Sequence, residues 1–125
     1  IMVTFVNTGL EYDAKLFNGV SVAPFKYVAL GSGTTAEAND QTALVTEITD
    51  TGLARAEGTA SYEASYIAVV EETFTATGST TFQETGLFDD ASAGHMAMRH
   101  LFSSAKNVDN GEQVKITFKV TKARA

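Results

Sequence analysis

Chemistry in a chain without cysteine has to come from carboxylates, histidines, hydroxyls or glycine-rich backbone, and each occurs here in a suggestive spacing. Gly31-Ser-Gly33 follows an apolar run, as a phosphate-binding loop does. Such a loop needs a Lys-Ser/Thr pair after its last glycine and a helix behind it, and Thr34-Thr35 brings no charge to a phosphate. Glu71-Glu72 and Asp89-Asp90 are paired acids. Neighbours along a strand point to opposite faces, so Glu71 and Glu72 cannot share a proton-transfer task. Asp89-Asp90 lies in a polar stretch where acids are ordinary turn residues. His95 and His100 are five apart in an extended segment and fall on opposite faces, which excludes a common metal, and neither has an obvious serine or acid partner in sequence. Asp109-Asn-Gly-Glu112 has the look of a calcium-loop fragment but lacks the alternating ligand spacing. The residues that could act chemically therefore read as turn, face and core residues, and the chain reads as non-enzymatic, with no cofactor and no metal.

Composition narrows the class. The chain has 125 residues, enough for one domain with a single core. An apolar fraction of 44% excludes disorder. No apolar run approaches the ~18 residues that span a bilayer, so no membrane partner is expected. The charge of −6 is unevenly placed. Residues before Glu112 carry fourteen acids and five bases, whereas Lys115, Lys119, Lys122 and Arg124 crowd the last eleven positions. A body this acidic is a poor ligand for nucleic acid. The basic last strand is a candidate to meet an acidic surface, including the 37–72 region of another copy.

The elements that would position these residues are mostly strands. Leu10, Ala14 and Phe17 recur at helical spacing behind a capping Asn7 or Thr8, and Asn18-Gly19 ends the segment, which predicts a short helix over 8–18 within an N-terminal arm of residues 1–24. Residues 25–125 read as one antiparallel β domain. Gly31 and Gly33 are expected to turn the chain, at least one with positive φ, and the apolar cluster Ala43, Leu44, Val45 and Ile48 within the polar 36–52 segment suits a single helical turn over the sheet edge. Residues 59–76 read as one long extended run. Thr77-Gly-Ser-Thr80 and Asp109-Asn-Gly111 read as hairpin turns, the latter as a type I′ turn. Met96, Met98, His100 and Phe102 share a face if 95–103 is a regular strand. Val114, Ile116, Phe118 and Val120 alternate with Lys115, Thr117, Lys119 and Thr121, which predicts a half-buried strand packed on strands 59–76 and 95–103. Short connections then make the last four strands sequential antiparallel neighbours. The predicted fold is all-β, an antiparallel meander forming a sandwich or open barrel, with one short helical segment near the N-terminus.

A resemblance sharpens the function. Ala29-Leu-Gly-Ser-Gly-Thr-Thr35, then Thr42-Ala-Leu44 and Glu47, then Arg55, then Glu84-Thr-Gly-Leu-Phe88 and a closing Val-x-Ile-x-Phe-x-Val strand follow each other in an order similar to that of small virion proteins of tailed bacteriophages. These are described as capsid decoration proteins, head fibres or tail-fibre-like proteins, and the similarity spans roughly residues 25–121. It implies a structural protein on the particle surface that binds the major capsid protein or other virion proteins as a homo-oligomer, with a trimer favoured. A tail-fibre or collar protein is the alternative within the virion. Outside it, the alternative is a carbohydrate-binding or adhesin-like β-sandwich module that uses Tyr62 and Tyr66. For the virion role the expected contact residues are Val3, Phe5, Leu10 and Phe17 in the N-terminal arm, and Lys115 and Lys119 on the last strand. Deleting residues 1–19 is then expected to leave a folded domain that no longer binds particles.

Overall fold

One antiparallel ribbon, folded over near its middle, makes most of both sheets. In the computed structural model, which describes residues 3–124, one side of the ribbon is the strand Ile67–Thr75 followed by the strand Thr80–Phe88. The other side is the strand Met96–Val108 followed by the strand Gln113–Thr121. In chain order the strands are β1 (Thr4–Phe5), β2 (Tyr27–Gly31), β3 (Ala56–Glu57), β4 (Thr59–Glu63), β5 (Ile67–Thr75), β6 (Thr80–Phe88), β7 (Met96–Val108) and β8 (Gln113–Thr121), with α1 at Asn7–Phe17.

The pairing frame is the same on either side of the fold, running from Thr75↔Gln113 to Thr80↔Val108. Between them Ala76 N donates to Glu112 O and Gly111 N to Ala76 O, both at 2.8 Å. Ser79 Oγ donates to Asp109 Oδ1 across the bend at 3.1 Å. Residues 77–79 and 109–111 are therefore corners in a continuous ribbon. The predicted hairpins at these two places are not formed: β5 does not pair with β6, nor β7 with β8. A type I′ turn needs two successive positive φ values, and here Gly111 (φ 88°) has one while Asn110 does not. The cause is burial. A ribbon with one apolar face hides it by closing on itself, which sets β5 and β8 over β6 and β7.

The result is a β-sandwich of two antiparallel sheets, with strand orders β1-β7-β6-β2-β3 and β4-β5-β8, and it is not a closed barrel. Val70, Phe74, Ile116 and Phe118 from the three-stranded sheet pack on Val28, Leu30, Leu87 and Met98 from the five-stranded one, with Val114 and Val120 at the margin. The predicted alternation of the last strand is thus the alternation observed. The predicted run over 59–76 divides into β4 and β5, with Tyr66 at φ 68° in the turn between them.

The five-stranded sheet is covered on its other face as well. Val6, Ala29, Leu44, Phe88 and Met96 form a second buried cluster there, roofed by α1 and the segment 32–50. Burial on both faces explains why Met96 to His100 are all buried. A register shift between Leu87 and Phe88 puts Met96 in this outer cluster and Met98 between the sheets, so the single face expected for Met96, Met98, His100 and Phe102 is broken. The predicted helical turn near 44–48 is instead an extended loop that bridges Gly31 to Glu47. Helix α1 follows the predicted span, but Val6 is its N-cap and no side chain caps it; Asn7 N donates instead to Asn39 O of the covering loop. No helix among the described residues is long and apolar enough to cross a membrane.

Candidate functional site

The layer that covers the five-stranded sheet is fastened to one buried carboxylate. Glu84 lies mid-strand in β6 with its side chain fully buried, and its two oxygens accept from four donors. Oε1 takes Val45 N at 3.0 Å and Arg99 Nε at 2.9 Å; Oε2 takes Gly33 N at 2.9 Å and Thr46 N at 2.8 Å. Burial alone would raise this carboxyl's pKa. The bonds from Thr46, Val45, Arg99 and Gly33 outweigh it and hold the group below the ordinary carboxylate range. Glu84 thus latches the covering loop at both ends onto the sheet.

Gly31 and Gly33 owe their identity to this latch. Neither has positive φ, contrary to expectation. A Cβ on Gly31 would meet the Glu84 carboxylate and, at 2.6 Å, Thr46 O, while one on Gly33 would sit 2.6 Å from Glu84 Oε2. The glycines are there for close approach, so their signature imitates a phosphate loop while the anion it embraces belongs to the protein.

Further side chains fasten the same layer. Glu37 accepts from Thr4 Oγ1 at 2.6 Å and Leu101 N at 2.8 Å, with His100 Nδ1 at 3.2 Å. Burial opposes its ionisation, but the bonds from Leu101 and Thr4 and the nearby His100 leave its pKa lowered. Gln41 Oε1 accepts from Arg99 Nη1 at 3.2 Å, and Arg99 Nη2 is buried with no hydrogen-bond partner among the described residues. Arg55 meets Glu47 through two bonds of 3.0 and 2.8 Å, donates to Asp90 O and Ala93 O, and lies 3.7 Å over the Phe88 ring.

Both histidines have acid partners that the sequence did not reveal. His95 Nδ1 is 2.9 Å from Asp89 Oδ2 and its ring stacks on Tyr12, which ties α1 to the β6–β7 loop. His100 faces Glu37. Asp89 also accepts from His95 N, so the pair closes a loop. Glu71 and Glu72 face opposite ways as expected, Glu71 accepting from Thr117 Oγ1 while Glu72 bonds Thr73 N. Among the described residues no group of three His, Cys, Asp or Glu is placed to hold a metal.

The six expected contact residues separate into three places. Phe5 packs half-buried against the inter-sheet core beside the more exposed Val3, because β1 pairs with β7. Leu10 and Phe17 lie together on the bare side of α1, whose other side rests on β7 through Gly9. Lys115 and Lys119 project from the outer face of β8, where they meet Glu71 at 3.5 Å and Glu63 at 2.9 Å in the same chain. Sequence reasoning missed the exposure of Val20 and Val22, which follow α1 in the chain, and the ion pair of Lys122 with Asp13 at 2.9 Å. Short apolar stretches such as Val20-Ser-Val22 read as strand, and nothing local separates them from a bare surface segment. The buried Glu84 had no local signal, since Gln83 and Thr85 flank it in a half-polar strand. With this geometry in view, no protein-family model matches the chain, and a comparison with curated proteins finds no match.

Proposed function

We propose that this chain is a structural protein of a tailed-bacteriophage particle, a capsid decoration or head-fibre subunit that sits on the particle surface and binds the major capsid protein. The observation that supports this reading is the convergence of the resembling residues. Gly31, Gly33 and Glu84 form the latch, Leu44 and Phe88 share a buried cluster, and Glu47 and Arg55 clamp the loop above them. Residues of that kind maintain a scaffold, which is what a virion protein must keep without disulfide or cofactor. The tail or collar location is the alternative within the same role.

The test is association with particles. Purified chain mixed with capsids of the phage that encodes it should co-sediment and saturate at a fixed ratio to capsid protein, and mass spectrometry of native particles should find it. Its absence from particles, with no saturable binding, would overturn the reading. A second reading has its own observation: Tyr62 and Tyr66 are both exposed at the β4–β5 turn, with Tyr62 Oη accepting from Tyr66 N at 3.1 Å. Specific signal on a glycan array, lost in Tyr62→Ala, would favour a carbohydrate-binding module instead.

A further inference from the structure

The bare side of α1 and the segment after it both expose large apolar side chains to water. Phe17 is 93% exposed, and Leu10, Val20 and Val22 are more than half exposed beside it in sequence. Contiguous apolar patches of a few hundred Å² on a monomer commonly mark an interaction site. On the far side of the Asp13–Lys122 ion pair the sandwich opens at one end into an apolar pocket of about 220 Å³. Phe5, Leu16, Phe25, Leu87, Phe118 and Val120 line it. An apolar cavity of ~150 Å³ accepts benzene, so this one has room for a phenyl ring. Asp13, Leu16 and Lys122 belong both to this pocket and to the shallow groove that holds Leu10, Ala14 and Phe17. Knob and hole therefore share a wall.

We propose that Phe17 of one copy enters this pocket of a second copy, about a two-fold axis near the Asp13–Lys122 pair. A projecting ring and a pocket side by side on one surface are self-complementary under a two-fold rotation, which delivers each ring to the other's pocket. Charge at this patch permits the same occupant. Residues before Glu112 carry fourteen acids against five bases, so two copies repel over most of their surfaces. Where knob and hole meet, Asp13 is matched by Lys122 within each copy, and two copies can meet there without that repulsion. The resulting assembly is a dimer, in place of the trimer that the resemblance implies, and the inference does not rest on the virion reading.

Sedimentation velocity of the 125-residue chain over a rising concentration series tests it. The wild type should pass from monomer to dimer. Phe17→Asp should weaken dimerisation at least tenfold while melting like the wild type, since the ring it removes is almost wholly in water. The chain has no cysteine, so a mixture of Phe17→Cys and Ala60→Cys chains (Ala60 lines the pocket) should form the mixed disulfide faster than either variant forms its own. A wild type that remains monomeric at high concentration, a Phe17→Asp variant that dimerises as well as wild type, or a trimer as the only assembly would overturn the proposal. A monomeric wild type whose particle binding is lost in Phe17→Asp would also overturn it while sustaining the virion reading. Dimerisation without particle binding would do the opposite.

Discussion

Glu84 shows how one side chain decides the chemistry of its surroundings. Two buried charges, Glu84 and Arg99, are tolerated because five hydrogen bonds offset most of their desolvation: three from backbone amides, one between the two, and one from Arg99 to Gln41. Only Arg99 Nη2 is left without a partner among the described residues. Removing one member leaves the other buried and uncompensated. Glu84→Gln should therefore cost about 3–5 kcal/mol in chemical denaturation. Its pH dependence carries a sign. The lowered folded-state pKa of Glu84 and Glu37 means that their contribution is complete above the unfolded carboxylate value of about 4.3 and disappears as pH falls through the lower folded values. The wild type should lose stability steeply on that acid side, and Glu84→Gln should flatten the slope; an unchanged slope would remove Glu84 from the account. Phe118 is a simpler case. It is 5% exposed between the sheets, so Phe118→Ala should cost about 3–5 kcal/mol. A denaturation midpoint that stays put would be inconsistent with this packing.

At the scale of elements, α1 is held by a contact that helix propensity would not choose. Gly9 lies on the β7 backbone at Ala97, and a Cβ there would overlap it. In an isolated helix Gly→Ala gains about 1 kcal/mol. Here the overlap forces α1 off the sheet, which costs about 1–3 kcal/mol, so Gly9→Ala should destabilise on balance. A stabilised variant in thermal melts would show that α1 can shift freely. The helix itself was legible from the spacing of Leu10, Ala14 and Phe17, but that spacing was silent on which side it buries. The stripe of Leu10, Ala14 and Phe17 faces solvent, because Gly9 lets the opposite side come closer to β7.

For the whole molecule, the two buried clusters make the N-terminal segment part of the framework. Thr4 and Phe5 pair with Arg99 and Met98, Val6 is fully buried with Leu44, Phe88 and Met96, and Tyr12 stacks on His95. Deleting residues 1–19 should therefore uncover the second cluster and lower the melting temperature, contrary to the expectation of a fully folded remainder. An unchanged melt would show the segment to be dispensable. Surface substitutions such as Phe17→Asp separate binding from folding where the deletion would confound them. Likewise Lys115 and Lys119, expected to reach the acidic region of another copy, already meet Glu71 and Glu63 of that region in their own chain. Exposed pairs of this kind contribute about 0–1 kcal/mol each, too little to set an assembly register by themselves.

The sequence by itself determined what local periodicity can carry. The alternation of Val114 to Val120 announced a half-buried strand, and the 8–18 spacing a helix. The lack of cysteine removed thiolate chemistry. Tertiary structure alone decided which strands became neighbours. Gly-Ser and Asn-Gly corners are equally suited to a hairpin and to a bend in a longer ribbon, and the choice belongs to the apolar faces of β5, β6, β7 and β8, which close on each other. It also decided what Gly31 and Gly33 are for, since the carboxylate they embrace lies some fifty residues away in sequence, bonded to Gly33 across that gap. Charge pairing and close approach are contacts between distant residues, and a local pattern holds no record of them until the chain has folded.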